Sequence, residues 1–208
     1  MSDLASIGME RGMLYETILT TRNPDGKPNA APIGVMCKDM DEVVVYLHEG
    51  SRTVKNIKKE GEFIVNILKD PLIFVESTLG NPPADNFAEY KDNFYIKTTE
   101  AFFKAKVNHL RDVERKDQFG VSRTTIVRAG VEEIVKKKDQ VEPLNRAIYG
   151  IIEALVYLTR MDLVSGDTER LYHHRIREIS RIVNKVGGPE HKKATKRVLE
   201  AFSEYGVE

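Results

Sequence analysis

The sequence predicts an α+β protein, a small antiparallel barrel or sandwich followed by a helical subdomain. Three observations carry this expectation. Six or so strand-like segments, β-branched, aromatic or alternating, fall between Met13 and Lys138 with no repeating βα unit. Turn formers separate the first of them at hairpin spacing. Beyond Pro143 the apolar spacing changes from that of strands to that of helices.

The first strand is MLYETILTT, Met13 to Thr21, which ends at RNPDGKPN, where Pro24, Asp25 and Gly26 make a hairpin turn. The returning strand covers about Asn29 to Cys37. A second turn at KDMD leads into EVVVYLH, so a three-stranded meander forms before residue 50. EGSRTVKNIKKEGEFIVNI then reads as a turn, a helix beginning near Ser51 and stopped by Gly61, and a strand from Phe63 to Leu68 buried on both faces. After Asp70, PLIFVESTLG has a capping residue, proline at the first helical position and a terminal glycine, which together predict a short helix. NPPADN is a loop. AFFKAKVNHLRDVE alternates at Phe103, Ala105 and Val107 against Lys104, Lys106 and Asn108, as a half-exposed strand does. FGVSRTTIVRAGVEEIVKKK is a further long strand in which Gly130 is expected to bulge or bend.

Past Pro143, apolar residues recur at Leu144, Ala147, Ile148, Ile151, Ile152, Leu155 and Leu158. A second helix, ERLYHHRIREISRIVNKVGG, ends at a Gly-Gly pair, and a third runs from Pro189 to Phe202. These boundaries divide the chain into a barrel domain, 1–142, and a helical subdomain, 143–208.

Composition narrows the function. The chain has 208 residues, with 32 basic and 32 acidic side chains, so it carries no global electrostatic footprint for nucleic acid or an acidic membrane. Any anion site must be local. One cysteine, Cys37, leaves no intrachain disulfide and no multi-cysteine metal site, which fits a reducing cytoplasm. The N-terminus lacks the basic start and apolar core of a secretory leader. The apolar run AIYGIIEALVYL contains Glu153 and falls short of the roughly 20 residues that span a bilayer.

Two stretches carry candidate chemistry. A helix N-terminus holds partial positive charge and favours acidic residues, yet this first turn offers Ser51, Arg52, Thr53 and Lys55. Ser51 reads either as an ordinary N-cap or as part of a phosphate cradle made of free N–H groups, two hydroxyls and a guanidinium. In GKPNAAPIG, Ala30, Ala31, Pro32 and Gly34 either complete a tight hairpin or leave room for a flat ligand along the backbone. His109 falls in a late strand, as a satisfied histidine or one facing a ligand. His173 and His174 are adjacent on a helix, about 100° apart, which is poor geometry for shared metal ligation. No metal site is predicted, and neither a phosphate loop nor a dinucleotide glycine fingerprint is present.

The order of parts resembles the flavin reductase-like and pyridoxamine oxidase-like flavoproteins of the FMN-binding split-barrel fold. The pattern Thr-x-x-Asn-Ile, then Gly-x-Phe-x-Val-Asn, is met by Thr53, Asn56, Ile57, Gly61, Phe63, Val65 and Asn66. The whole chain, helical tail included, is similar to an uncharacterised archaeal branch of that fold. The resemblance implies FMN, with its phosphate at Ser51, Arg52 and Thr53, its isoalloxazine edge on Ala30, Ala31, Pro32 and Ile33, and Thr20 and Thr21 near the ring or ribityl chain. It further implies a homodimer with flavin sites at the interface, and an oxidoreductase whose donor and acceptor are unspecified. A flavin carrier, sensor or assembly module, or a split barrel using deazaflavin or haem, stand as alternatives. Flavin reductases commonly carry Asp where Arg52 stands, and the substrate-binding residues of pyridoxamine oxidases find no match. Asn56 reads as a structural hydrogen-bonding residue and Asn66 as a strand residue; no catalytic side chain is named.

Overall fold

A computed structural model of the chain describes residues 3–117 and 120–205. Strands β1 (Leu14–Arg22), β2 (Pro28–Asp39) and β3 (Glu42–His48) form the expected meander. Helix α1 (Arg52–Glu60) leads to β4 (Glu62–Ile67), and α2 (Pro71–Leu79) follows. A short hairpin, β5 (Phe87–Tyr90) and β6 (Asn93–Ile96), precedes the long pair β7 (Ala101–Asp117) and β8 (Gly120–Lys136). Helices α3 (Arg146–Leu158), α4 (Asp167–Val186) and α5 (Pro189–Ser203) complete the chain. By internal packing the chain forms two compact units, Met1–Leu144 and Asn145–Glu208. Among the described residues no helix is long and apolar enough to cross a membrane.

Six antiparallel strands close into a barrel in the order β1-β2-β3-β8-β7-β4. Strand alternation sends one set of side chains inward, where Leu19, Val35, Val45, Phe63, Val65, Phe103, Ala105 and Val127 make the core. Leu4 and Ile7, on a short 3₁₀ turn, Leu4–Ile7, ahead of β1, and Met9 just beyond it join that core, and each is fully buried. The opposite face of β1, β2 and β4 is also covered. Ile18, Ala30, Leu68, Ile73, Phe87, Phe94 and Ile96 form a second apolar cluster beneath α2 and the β5–β6 hairpin. This explains why β4 is apolar on both faces. Its buried polar member, Asn66, donates to the Ile18 carbonyl at 2.9 Å and accepts the Ile96 N–H at 2.8 Å, so β4 is stitched to β1 and β6.

Local signals set the helix ends. The Ser51 hydroxyl accepts the Val54 N–H at 3.3 Å, and Gly61, at φ 73°, donates its N–H to the Ile57 carbonyl at 2.9 Å. Asp70 accepts the N–H groups of Leu72 and Ile73, with Pro71 opening α2.

Gly130 is not itself the bulge. The extra residues are Asn108 on β7 and Glu132 on β8, where the register skips from Val107↔Ala129 to His109↔Arg128 and from Lys104↔Glu133 to Ala105↔Val131. Gly130 instead makes room: a Cβ there would lie 3.1 Å from the Asn108 side-chain amide. The β5–β6 hairpin has no counterpart in the sequence reading, because its turn places Lys91, not Gly or Asn, in the left-handed region at φ 53°.

Burial pushes the Cys37 thiol up to about 11 and the Tyr15 hydroxyl up to about 12, from ordinary values of 9.0 and 10.0. A folded-state value raised above the unfolded one adds stability that is complete at lower pH and is lost as pH climbs through the folded value. The melting midpoint is therefore expected to fall between about pH 9 and pH 12. Thermal unfolding followed by circular dichroism checks this; a flat midpoint across that interval would contradict it.

Candidate functional site

The first turn of α1 carries no acidic residue, while Lys58 and Lys59 occupy its last turn. Its C-terminus is thus charge-matched and its N-terminus is not. By the geometry of any α-helix, the N–H groups of Arg52 and Thr53 have no intrahelical acceptor. Arg52 and Lys55 are exposed, Ser51 is half-buried and Thr53 is buried. Gly50 lies at φ 86° with open space where a Cβ would stand, so it is the backbone turn into the helix that calls for glycine there. Glu49, the nearest acid in sequence, lies 3.8 Å from Arg123.

Buried amides fasten this helix start to the β1–β2 hairpin. The Asn29 side-chain amide donates to the Thr53 hydroxyl and to the Thr21 hydroxyl, each at 3.2 Å. The Asn56 amide donates to the same Thr21 hydroxyl at 3.0 Å and to the Asn23 side-chain oxygen at 2.9 Å. Thr21, Asn29, Thr53 and Asn56 are all buried. A hydroxyl that accepts amide hydrogens keeps its own proton to donate, so the cluster presents further donors beside the helix N–H groups.

Strand β2 supplies the second half of the site. Its pairing with β3 begins only at Val35, so Pro28–Gly34 pair with β1 alone. The opened edge is partly held by Asn81, which accepts the Ala30 N–H at 2.8 Å and donates to the Pro28 carbonyl at 3.1 Å. Backbone groups of alternate residues point to the same edge of an antiparallel strand. The Ala30 carbonyl and the backbones of Pro32 and Gly34 therefore face that opening. Pro32 is accommodated because it owes no N–H to a neighbouring strand. Ala31, Pro32 and Ile33 are half-buried, whereas the Ala30 side chain is buried in the second apolar cluster.

The amide cluster thus joins Thr21 to Thr53, with Ser51 and Arg52 directly ahead of Thr53 in the chain and Ala30 to Ile33 continuing from Asn29. Thr20 stands apart from them. Its side chain is on the other face of β1, fully buried, where its hydroxyl donates to the Phe94 carbonyl and accepts the Asn66 amide at 3.1 Å. Asn29 and Asn81 are the residues that sequence reading passed over. Asn29 lies within the quoted strand motif, but nothing local marks Asn81, which acts on a strand 51 residues away.

Other candidates lie elsewhere. His109 is exposed on β7. His173 packs edge-on against Phe202, with ring centroids 5.7 Å apart. Among the described residues, no group of three or more His, Cys, Asp or Glu side chains could hold a metal ion. A cavity of about 400 Å³, lined by His48, Glu49, Glu114 and Arg123, adjoins the loop into α1.

The fold and site define an antiparallel split β-barrel with a donor-rich helix start beside an unpaired strand edge. The chain belongs to the DUF447 family of proteins of unknown function: the N-terminal domain of that family matches residues 15–133 and its C-terminal part matches 145–200. The uncharacterized protein MJ1453 of Methanocaldococcus jannaschii is 30% identical over 191 residues, 90% of this chain and 97% of that protein. The crystal structure of the FMN-bound DUF447 protein MM1853 from Methanosarcina mazei matches with a TM-score of 0.55 and 29% identity, covering 96% of this chain and 100% of the other. The flavin reductase of styrene monooxygenase from Pseudomonas putida S12 matches at a TM-score of 0.48 and 17% identity, covering 68% and 89%.

Asn56→Ala is expected to lower stability by about 1–3 kcal/mol, because the half-buried Asn23 oxygen and the buried Thr21 hydroxyl each lose a donor. Urea unfolding measures this, and an unchanged midpoint would show that α1 is held by apolar packing alone.

Proposed function

We propose that this chain is a cytoplasmic FMN-binding flavoprotein that works as an oxidoreductase. The observation that carries the reading is the basic, acid-free start of α1, fixed by Asn29 to the strand whose edge β3 leaves open. An FMN-bound family member aligned over almost the whole chain supports the choice of cofactor.

The residues fit that group. The N–H groups of Arg52 and Thr53, the Ser51 and Thr53 hydroxyls and the Arg52 guanidinium suit a phosphate dianion. Ala31 and Pro32 offer little side-chain bulk along the open edge, and Ile33 adds an apolar surface, as a flat heteroaromatic ring requires. Thr21 would meet the ribityl chain or ring from its side of the amide cluster, while Thr20 contributes by anchoring β6. Bound FMN would supply hydride and electron transfer between a reduced donor and a small acceptor. The chain itself supplies anchorage and orientation. A second copy of the chain would border each site, giving a homodimer with flavin at its interface.

Purified protein is expected to take up FMN, seen as visible flavin absorption and quenched flavin fluorescence in a titration. Arg52→Ala should weaken binding by about 1.5–3 kcal/mol, the worth of a hydrogen bond to a charged group, or roughly tenfold to 150-fold. Unchanged affinity would remove Arg52 from the site. Ala31→Leu should lower flavin occupancy in a folded protein, and full occupancy would move the ring elsewhere. Bleaching of the bound flavin by NADH or NADPH supports turnover; binding without reduction by any donor tested favours a carrier.

A further inference from the structure

Between Ala30 and Pro32 the open edge of β2 offers a ligand acceptors and no donor. On the side of the strand that faces away from β1, the Pro28 carbonyl accepts from the Asn81 amide at 3.1 Å, and the Ala30 N–H donates to the Asn81 oxygen at 2.8 Å. Pro32 has no N–H to give. Pairing with β3 begins only at Val35, and among the described residues no protein group donates to the Ala30 or Pro32 carbonyl. Both residues therefore present a bare carbonyl at the opening. Asn81 decides this character, because without it Ala30 would show an N–H beside its carbonyl.

We infer, building on the FMN reading, that these carbonyls read the imide N–H of the flavin pyrimidine ring, and that Asn81 is the positioning residue that fixes the choice. An oxidised isoalloxazine has one ring N–H, at N3 between two carbonyls; its other ring nitrogens and its oxygens only accept. Turned with its N5 side to the strand, the ring would set acceptor against acceptor. Turned with its dimethylbenzene side, it would cut both strand carbonyls off from water and give them no donor, and an unpaired buried group costs more than a bond is worth. The N3 side alone supplies what the edge lacks. A 5-deazaflavin keeps that N–H and meets the edge on the same terms, whereas haem has no N–H at its rim. A site built to bond a ligand N–H discriminates steeply against the analogue without it, since its own polar groups are then left unpaired.

Calorimetric titration of the full chain with FMN, 3-methyl-FMN and 5-deaza-FMN tests this. 3-Methyl-FMN should bind roughly tenfold to a hundredfold more weakly than FMN, and 5-deaza-FMN within about threefold of it. Equal binding of FMN and 3-methyl-FMN overturns the assignment. So does a loss of about tenfold or more with 5-deaza-FMN, which would put N5 against the strand. Asn81→Ala frees the Ala30 N–H to meet a ring carbonyl, so the methylated ring gains a partner. In that variant the gap between FMN and 3-methyl-FMN should narrow by about threefold or more, with the circular dichroism of the folded chain retained. A merely structural Asn81 would weaken both ligands alike, and an unchanged gap overturns its positioning role. If FMN itself does not bind, the FMN reading fails; if FMN binds and the methyl group makes no difference, that reading stands and the N3 assignment alone falls.

Discussion

Two buried asparagine amides set the geometry on which the site depends. Asn29 and Asn56 together make four hydrogen bonds that tie the first turn of α1 to the β1–β2 hairpin. The net gain from each such bond is only about 0.5–1.5 kcal/mol, but each buried group left unpaired costs about 1–3 kcal/mol. That asymmetry makes the network a device for position more than for bulk stability. A one-residue slip of β2 would turn Asn29 to the other face and strand the Thr53 and Thr21 hydroxyls. Register, helix position and donor placement are therefore chosen together.

The same register explains why one strand edge is open. β2 pairs with β1 from Pro28 to Met36 and joins β3 only from Val35. An exposed edge is a hazard for unwanted strand pairing, and it is blunted here by Pro32, which offers no N–H, and by Asn81, which occupies Ala30 and Pro28. What stays accessible is a short run of backbone flanked by small and apolar side chains. The helix start and the open strand edge are thus held by one network, which keeps their separation fixed.

Much of this was legible in sequence where the signal is local. The Asp25-Gly26 turn, the valine-rich β3, Gly61 behind α1, and Asp70-Pro71 ahead of α2 act within a few residues of themselves, and each sits where its chemistry requires. The inverted charge of the α1 start was equally visible. Long-range partners were not. Asn81 reads as an ordinary loop residue until β2 lies against it, and Gly130 reads as a bulge until Asn108 is seen to fill the space beside it. Thr20 and Thr21 look alike in sequence, and only the pairing register shows that they occupy opposite faces of β1 with separate sets of partners. The β5–β6 hairpin was hidden by a lysine doing the work of glycine.

The charge missing from the start of α1 is proposed to be that of a bound phosphate. A crystal structure of the protein soaked with FMN tests it most directly. Phosphate oxygens are expected within hydrogen-bonding distance of the Arg52 and Thr53 N–H groups and the Ser51 hydroxyl, with the ring edge along Ala31, Pro32 and Ile33. Flavin ordered elsewhere, for example in the cavity beside His48 and Arg123 with the α1 start left to solvent, would contradict it.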